Sequence, residues 1–308
     1  MIEKRLLTRL IQLKIELDAL RPLPQSTLAR LKEQIDLEWT YNSNAIEGNT
    51  LTLRETQIIL EHGFTIGGKT MREHFEVINH KQAIGFVELL AASPARITAH
   101  DIRQLHQLVL ANIDDENAGK YRQVSVRIAG ARHVPPEPWD VPAQMDGLLR
   151  WLTGTTARKM HPITRAAIAH HRFVNIHPFV DGNGRTGRLL LNVLLFGDGY
   201  PPAVIEAVNR RQYYAVLAEA DGGRDARLVN FVARACERSM RLHVETGTVV
   251  RERPPVYDLW VPLARAAQGT PYSQEYLSLL ARTGKLAAKK HGRNWVSTRA
   301  AVREYQEG

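Results

Sequence analysis

From Glu3 to Val244 apolar residues recur three and four positions apart, and the pattern breaks mostly where Gly or Pro stands. Spacing of this kind lays a continuous stripe along a helix and scatters across a strand, so it constrains the chain to a mainly α fold. Helices are expected over Glu3–Leu20, Ser26–Ile46, Thr52–His62, Thr70–Leu90, Thr98–Leu110, Pro142–Thr153, Pro162–Ile176, Gly184–Gly197, Arg210–Ala220 and Ala226–Val244. With 308 residues, 44% of them apolar, the chain can bury a core and has room for one large domain and one small one. The richest apolar run, Leu189 to Phe196, is too short to span a membrane. The opening MIEKRLLTRLIQLKIELDALRP mixes acids into its apolar positions and reads as an amphipathic helix, not a secretion signal. A cytoplasmic protein with no membrane partner is expected. The single cysteine, Cys236, can form no intrachain disulfide and falls on a helical apolar face as a core residue.

Four stretches depart from simple helical period. GFTIGGKT, Gly63 to Thr70, fits the spacing of a phosphate-cradling loop, which works only where a buried strand enters and a helix leaves. Here TLRETQIILEHG brings a helix in, so a helix-to-helix turn is expected. YRQVSVRIAGARHVPPEP alternates Val124, Val126 and Ile128 with polar residues, turns at AGAR, and resumes at His133 and Val134, a hairpin pattern. Its edge could accept another chain as an added strand, or it could be a surface ornament. HVETGTVVRERPPVYD, with its paired prolines, marks a boundary between about Thr246 and Tyr257. Beyond it the charge is uneven: Arg251 to Gly308 carries ten Lys/Arg against five Asp/Glu, +5 of the chain's net +9. Lys289, Lys290 and Arg293 gather before a tryptophan in KLAAKKHGRNW, and Leu277, Leu279, Leu280 and Leu286 form apolar faces around Gly284. A small helix-turn-helix of the excisionase kind accounts for this pattern; DNA phosphates suit its charge, and an accessory domain docking on protein is the alternative.

The densest chemistry lies in HPFVDGNGRTGR, His177 to Arg188, between two apolar helices. Gly182 and Gly184 let the backbone turn its amides inward as an anion nest, and a helix N-terminus follows at once. Arg185 and Arg188, three apart, share a helix face above that nest and can hold further phosphate groups. Asp181 beside an anion site calls for a divalent cation between carboxylate and phosphate, and Mg²⁺ fits. His177 can take a proton near neutral pH, so the group supports attack by a hydroxyl on a bound phosphate. A transition-metal cluster of His170, His171, His177 and Asp181 is the alternative, and it leaves both arginines and the glycine turn without a role.

The stretch HPFVDGNGRTGR resembles the signature of the Fic family, H-x-F-x-D/E-G-N-G-R-x-x-R, at every specified position. The resemblance extends over most of Leu31 to Val244 and takes in the hairpin segment and NSNAIEGNTL. It implies a mainly α fold: a Fic helical core with a short β-hairpin flap, followed by a small C-terminal helix-turn-helix-like domain. Together with the proline boundary and the basic tail, it gives three expected parts: residues 1–95, a helical region with an inhibitory motif; residues 96–245, the Fic catalytic core; and residues 246–308, the linker and a small basic domain of winged-helix or helix-turn-helix kind. The implied activity transfers AMP from Mg-ATP to a Ser, Thr or Tyr hydroxyl of a protein, releasing pyrophosphate.

By motif position His177 resembles the family's base and Asp181 its Mg²⁺ ligand. Gly182, Asn183 and Gly184 fall where the family holds the α-phosphate, Arg185 where it contacts the β-phosphate, and Arg188 the γ-phosphate. Phe179 resembles the core anchor of the loop. Val124, Val126, Ile128 and His133 belong to the flap that docks the target by strand addition. Asn209, Tyr213 and Tyr214 lie where the family lines its adenine pocket, with core packing as the alternative for these side chains. SNAIEG, Ser43 to Gly48, resembles the inhibitory motif S/T-x-x-x-E-G/N, in which Glu47 would pair with Arg188 and deny that arginine to ATP. The resemblance also implies a homodimer. Removal of AMP through the same site, a DNA-binding regulator with a nucleotide-sensing core, and an inert nucleotide-binding component of a toxin-antitoxin type are the competing readings.

Overall fold

The computed structural model describes residues 1–20, 25–93, 96–128, 130–252, 261–291 and 294–307. It divides between Gly247 and Thr248 into two compact units. In the first unit the helices are α1 (Lys4–Leu20), α2 (Gln25–Ile46), α3 (Leu53–His62), α4 (Met71–Ala92), α5 (Ala99–Leu110), α6 (Val141–Thr153), α7 (Thr155–Arg158), α8 (Pro162–Ile176), α9 (Asn183–Gly197) and α10 (Arg210–Asp221). A long α11 (Ala226–Glu252) begins there. Their starts follow capping chemistry: Thr52, Thr70 and Thr98 each accept a backbone N–H from N3, whose carboxylate returns a bond to the cap.

α9 is buried on nearly every side, its polar residues included, and this decides where the active loop sits. Leu191 and Leu195 pack with Leu6 and Leu10 of α1 and with α8, α10 and α11. Leu189 and Val193 pack with Trp39 of α2, Ile84 of α4 and Leu105 of α5. Leu190 joins Phe173 of α8 and Met145 of α6. With leucines and valines in three separate clusters the helix lies at the centre of the bundle, so its N-terminus and the loop before it are held by neighbouring helices. Cys236 is buried in the first of these clusters.

The glycine-rich turn between α3 and α4 carries no strand: α3 stops on Gly63 in the left-handed region (φ 69°), and α4 starts from the Thr70 cap. The hairpin segment corrects its expectation. Its described residues 121–128 and 130–137 are extended and turned backbone without ladder pairing. Arg122 replaces the ladder: its buried guanidinium donates to Val124 O (2.9 Å) on one arm and to Pro136 O on the other. Side-chain bonds that span the two arms satisfy carbonyls that strand pairing would otherwise use.

The second unit holds β1 (Val261–Pro262), α12 (Leu263–Ala266), α13 (Gln274–Arg282), β2 (Ala288–His291), β3 (Asn294–Ser297) and α14 (Arg299–Glu307). The strands form an antiparallel sheet in the order β1-β3-β2, with Lys289 opposite Val296 and Lys290 opposite Trp295. Leu277, Leu280, Leu286 and Val302 close a separate core; Leu279, expected on an apolar face, is 55% exposed. In this unit α12 and α13 are followed by the β2–β3 hairpin and then by α14. Pro254, Pro255 and Tyr257 of the expected boundary, Ala129 of the flap turn, and Arg293 lie outside the described residues. Among the described residues no helix is long and apolar enough to cross a membrane.

Candidate active site

α8 ends at Ile176, two residues before Pro178, because the residue preceding a proline is steered out of helical geometry. That residue is His177, at φ 48° and ψ 59°, with its N–H on Phe173 O (3.0 Å). A left-handed conformation costs a non-glycine residue energy and persists only where neighbours enforce it. Arg122 does so, its Nε donating to His177 O (2.8 Å) and its backbone N–H to Pro178 O (3.0 Å). His177 Nδ1 lies 3.3 Å from Val174 O. A carbonyl only accepts, so Nδ1 carries the hydrogen and Nε2 is left with its lone pair. Burial pushes the His177 imidazole below its ordinary value; the Val174 carbonyl opposes this and the Arg122 charge adds to it.

Two side chains shape the loop beyond His177. Phe179 is fully buried and stacks on His106, ring centroids 3.6 Å apart and planes 1° from parallel. Asn183 reaches back across the turn, accepting from Phe179 N–H (2.9 Å) and donating to Phe179 O (2.8 Å). Both bonds fix the side chain across the turn and leave the Asn183 backbone N–H without a side-chain cap. Gly182 takes φ 73°, and no side chain caps α9. The first-turn amides of a central helix therefore point, unpaired, into the space beside His177. Asn183→Ala should lose about 2–4 kcal/mol of stability, since both polar groups of buried Phe179 lose their partners; urea unfolding of the two proteins measures it.

His106 is the loop's second support. Its Nδ1 accepts Gly119 N–H (3.0 Å), which leaves Nε2–H to donate to Asp181 O (2.9 Å). Burial holds this imidazole neutral, at about 4. An unfolded histidine protonates near 6.5, so the unfolded chain binds more protons between these values. The stability His106 contributes is complete above about pH 6.5 and is lost as pH falls toward 4, by about 2 kcal/mol at pH 5. Unfolding free energies at pH 7 and 5 should differ less in His106→Phe, which keeps a ring on Phe179 and cannot titrate; equal slopes would contradict this assignment.

The Asp181 carboxylate is 46% exposed at the mouth of the nest, with Oδ1 on Gly182 N–H (2.6 Å) and Oδ2 on Arg72. Burial raises its pKa, but the Arg185 charge, Gly182 N–H and Arg72 together hold it below the ordinary carboxylate range. Among the described residues no three His, Cys, Asp or Glu side chains converge as a metal cage. His170 binds Tyr213 OH (2.7 Å) and His171 binds Asp221 (2.9 Å), so the alternative transition-metal cluster does not assemble. A single reachable carboxylate beside an anion nest fits Mg²⁺, which takes one or two carboxylates and completes its shell with phosphate oxygens and water. Arg185 is buried, 3.2 Å from Glu76 and 3.7 Å from Asp181.

Arg188 meets the end of α2. Its Nε donates to Ser43 Oγ (3.0 Å), and Nη2 donates to Ser43 O (2.8 Å) and pairs with Glu47 Oε1 (2.8 Å). Gly48 N–H bonds Ala45 O and Asn49 N–H bonds Asn44 O, the paired closure of a helix whose following glycine is left-handed, here at φ 103°. Arg210 Nε covers Ile46 O (2.6 Å), and Asn44 Nδ2 ties the turn to Glu76 O on α4 (3.2 Å). Glu47 therefore projects from a pinned helix end. A methyl group built on Gly184 would lie 2.1 Å from Glu47 Oε1, so the carboxylate occupies the first turn of α9.

The remaining expectations divide. Tyr213 is buried in the core with its hydroxyl on His170, so it packs and does not line a pocket. Asn209 Nδ2 is held by Glu206 (3.1 Å), and half-exposed Tyr214 lies under Arg210, 5.2 Å from its guanidinium. On the flap Val124 is exposed, Val126 and Ile128 are half-buried, and His133 Nε2 donates to Asn175 O (2.9 Å). Arg72, Glu76, His106 and Arg122 were absent from the sequence reading; each reaches the loop or its arginines across a long span of chain, and only a contact map would reveal them.

The Fic/DOC family model matches residues 96–195. The protein adenylyltransferase Fic of Drosophila grimshawi is 37% identical over 250 residues, 80% of this chain and 51% of the relative. The chain thus spans about half the length of the curated relatives it matches. Among solved structures, a segment of Fic-1 from C. elegans is 35% identical with a TM-score of 0.71, covering 78% of this chain and 72% of that one. A Fic family protein from Desulfovibrio desulfuricans G20 is 25% identical with a TM-score of 0.66 and covers 97% of both chains. With the signature folded into the turn that starts α9 and a relative this similar across most of its length, the chain belongs to the Fic family.

Proposed function

We propose that the chain is a protein adenylyltransferase restrained by its own Glu47. The observation that carries this is the free Nε2 of His177 beside the uncapped N-terminus of α9, with Arg185 and Arg188 on the same helix. Relatives that share this chain's core are named protein adenylyltransferase Fic. In this reading the amides of Gly182 to Gly184 hold the α-phosphate of ATP, Arg185 the β-phosphate and Arg188 the γ-phosphate. A target hydroxyl attacks the α-phosphorus, and His177 Nε2 takes its proton. The bond from that phosphorus to the bridging oxygen breaks, and pyrophosphate leaves. Asp181 would hold Mg²⁺ with the phosphates, and the cation would neutralise charge on the departing pyrophosphate.

Glu47 is the brake because it holds Arg188 and lies over Gly184, where the phosphates must settle. Removal of AMP through the same site remains the competing direction, and an AMP-modified protein incubated with wild type and Glu47→Gly separates the two. α-labelled ATP should mark protein in the Glu47→Gly chain while γ-labelled ATP does not. Transfer of the γ-label, or of neither, overturns the reading.

The second unit carries its own reading, duplex DNA binding, favoured by a wing with exposed Lys289 and Lys290 beside exposed Arg282, Lys285 and Arg299. Retention of DNA at low salt and its steep loss at higher salt would support it. A homodimer in the cytoplasm completes the proposal; Phe64 and Met71, 64% and 57% exposed around the α3–α4 turn, offer an apolar contact for a second copy.

A further inference from the structure

A cavity of about 810 Å³ opens between the flap's return arm, α6 and α8. Its floor includes Asn175 and Ile176, and the next residue is His177. The flap wall is fixed to this floor by His133, whose Nε2 donates to Asn175 O (2.9 Å). Arg122 binds both flap arms and His177 O at once. Groove wall, flap arms and the His177 backbone are therefore tied together by Arg122 and His133, so a chain held in the groove lies against the same support that fixes His177.

The lining chemistry is one-sided. Exposed Val134 and buried Leu148 give apolar contact, Gln144 and Asn175 give amide donors, and Arg172 gives a permanent cation. Among the described residues no Asp or Glu lines the cavity. His171, also on its wall, is already matched by Asp221 (2.9 Å). The Arg172 guanidinium lies 4.2 Å over the Trp151 ring, which limits its rotamers and reduces the entropy lost when it binds an anion.

Resting on the transfer activity proposed above, we propose that this groove selects the target protein by taking an extended, acidic segment that flanks the hydroxyl to be modified. Arg172 is the specificity-determining residue: it contacts the target's carboxylates and takes no part in the chemistry.

The test uses the full chain with Glu47→Gly and two fluorescent peptides of equal length, each centred on one Thr and flanked by Asp in one and Lys in the other. Anisotropy should show the acidic peptide binding at least about fivefold more tightly, with the ratio shrinking as salt rises. Arg172→Gln should remove the preference and Arg172→Glu should reverse it. Equal binding of the two peptides, or a preference that Arg172→Glu leaves unchanged, overturns the proposal. Binding is read without transfer, so the two readings fail separately: acidic preference through Arg172 in a chain that labels nothing contradicts only the transfer activity.

Discussion

Glu47→Gly is expected to raise AMP transfer by at least about a hundredfold. The wild-type pair joins a guanidinium that is 3% exposed to a carboxylate that is 30% exposed, at 2.8 Å. Removing a partner from a buried pair costs about 3–5 kcal/mol, and ATP must impose a comparable cost to place its γ-phosphate on Arg188. A pose disfavoured by about 2.7 kcal/mol is populated a hundredfold less. In the variant Arg188 keeps Ser43 as a neutral partner through Nε and Nη2, so the guanidinium stays in place and its charge becomes available. Gly is tolerated at the end of α2, so the stability cost of the variant is that of the unpaired Arg188, which Ser43 partly offsets; thermal unfolding of both proteins measures it. Glu47→Gln keeps the shape and loses the charge; it should fall between wild type and Glu47→Gly in initial rate with α-labelled ATP. A rate unchanged in both variants would remove Glu47 from regulation.

The second large effect belongs to His177. In the Glu47→Gly background, His177→Ala should reduce transfer by about 10²–10⁴-fold, the usual contribution of a positioned general base. Nucleotide affinity should hardly change, because in the proposed mode the phosphates rest on backbone amides at the start of α9 and on its arginines, not on His177. The pH profile carries a signature of its own. Burial holds the His177 imidazole below its ordinary value, so the basic form persists into mild acid. Transfer should be level above about pH 6.5 and decline only as pH falls further, through the lowered value. A decline centred above neutrality would assign that limb to another group.

Much of this architecture was legible because its causes are local. Ten helices followed from three- and four-residue spacing, with Thr52, Thr70 and Thr98 marking starts and Gly63 and Pro178 marking stops. The nest followed from glycines next to a helix start, and the Arg188 to Glu47 contact came through motif resemblance. What stayed hidden depends on distance along the chain. The alternating flap residues suggested a ladder, yet Arg122 ties the arms by side-chain bonds, an arrangement that hydrophobic period does not encode. Asn183, read as a ligand position, also closes its own turn, a second role that the motif does not display. Tyr213 and Tyr214 are adjacent, but helical geometry turns the first into the core and the second outward. Arg72 meets Asp181 only after α4 packs beside α9.

The central claim is that His177 performs AMP transfer which Glu47 withholds. Intact-mass and radiolabel detection with α-labelled ATP and Mg²⁺ tests it most directly, across wild type, Glu47→Gly, and Glu47→Gly with His177→Ala. The account predicts little label on wild type, strong label on Glu47→Gly or on lysate proteins beside it, and none once His177 is removed. Label that persists without His177, or no label in any variant while nucleotide still binds, would contradict it.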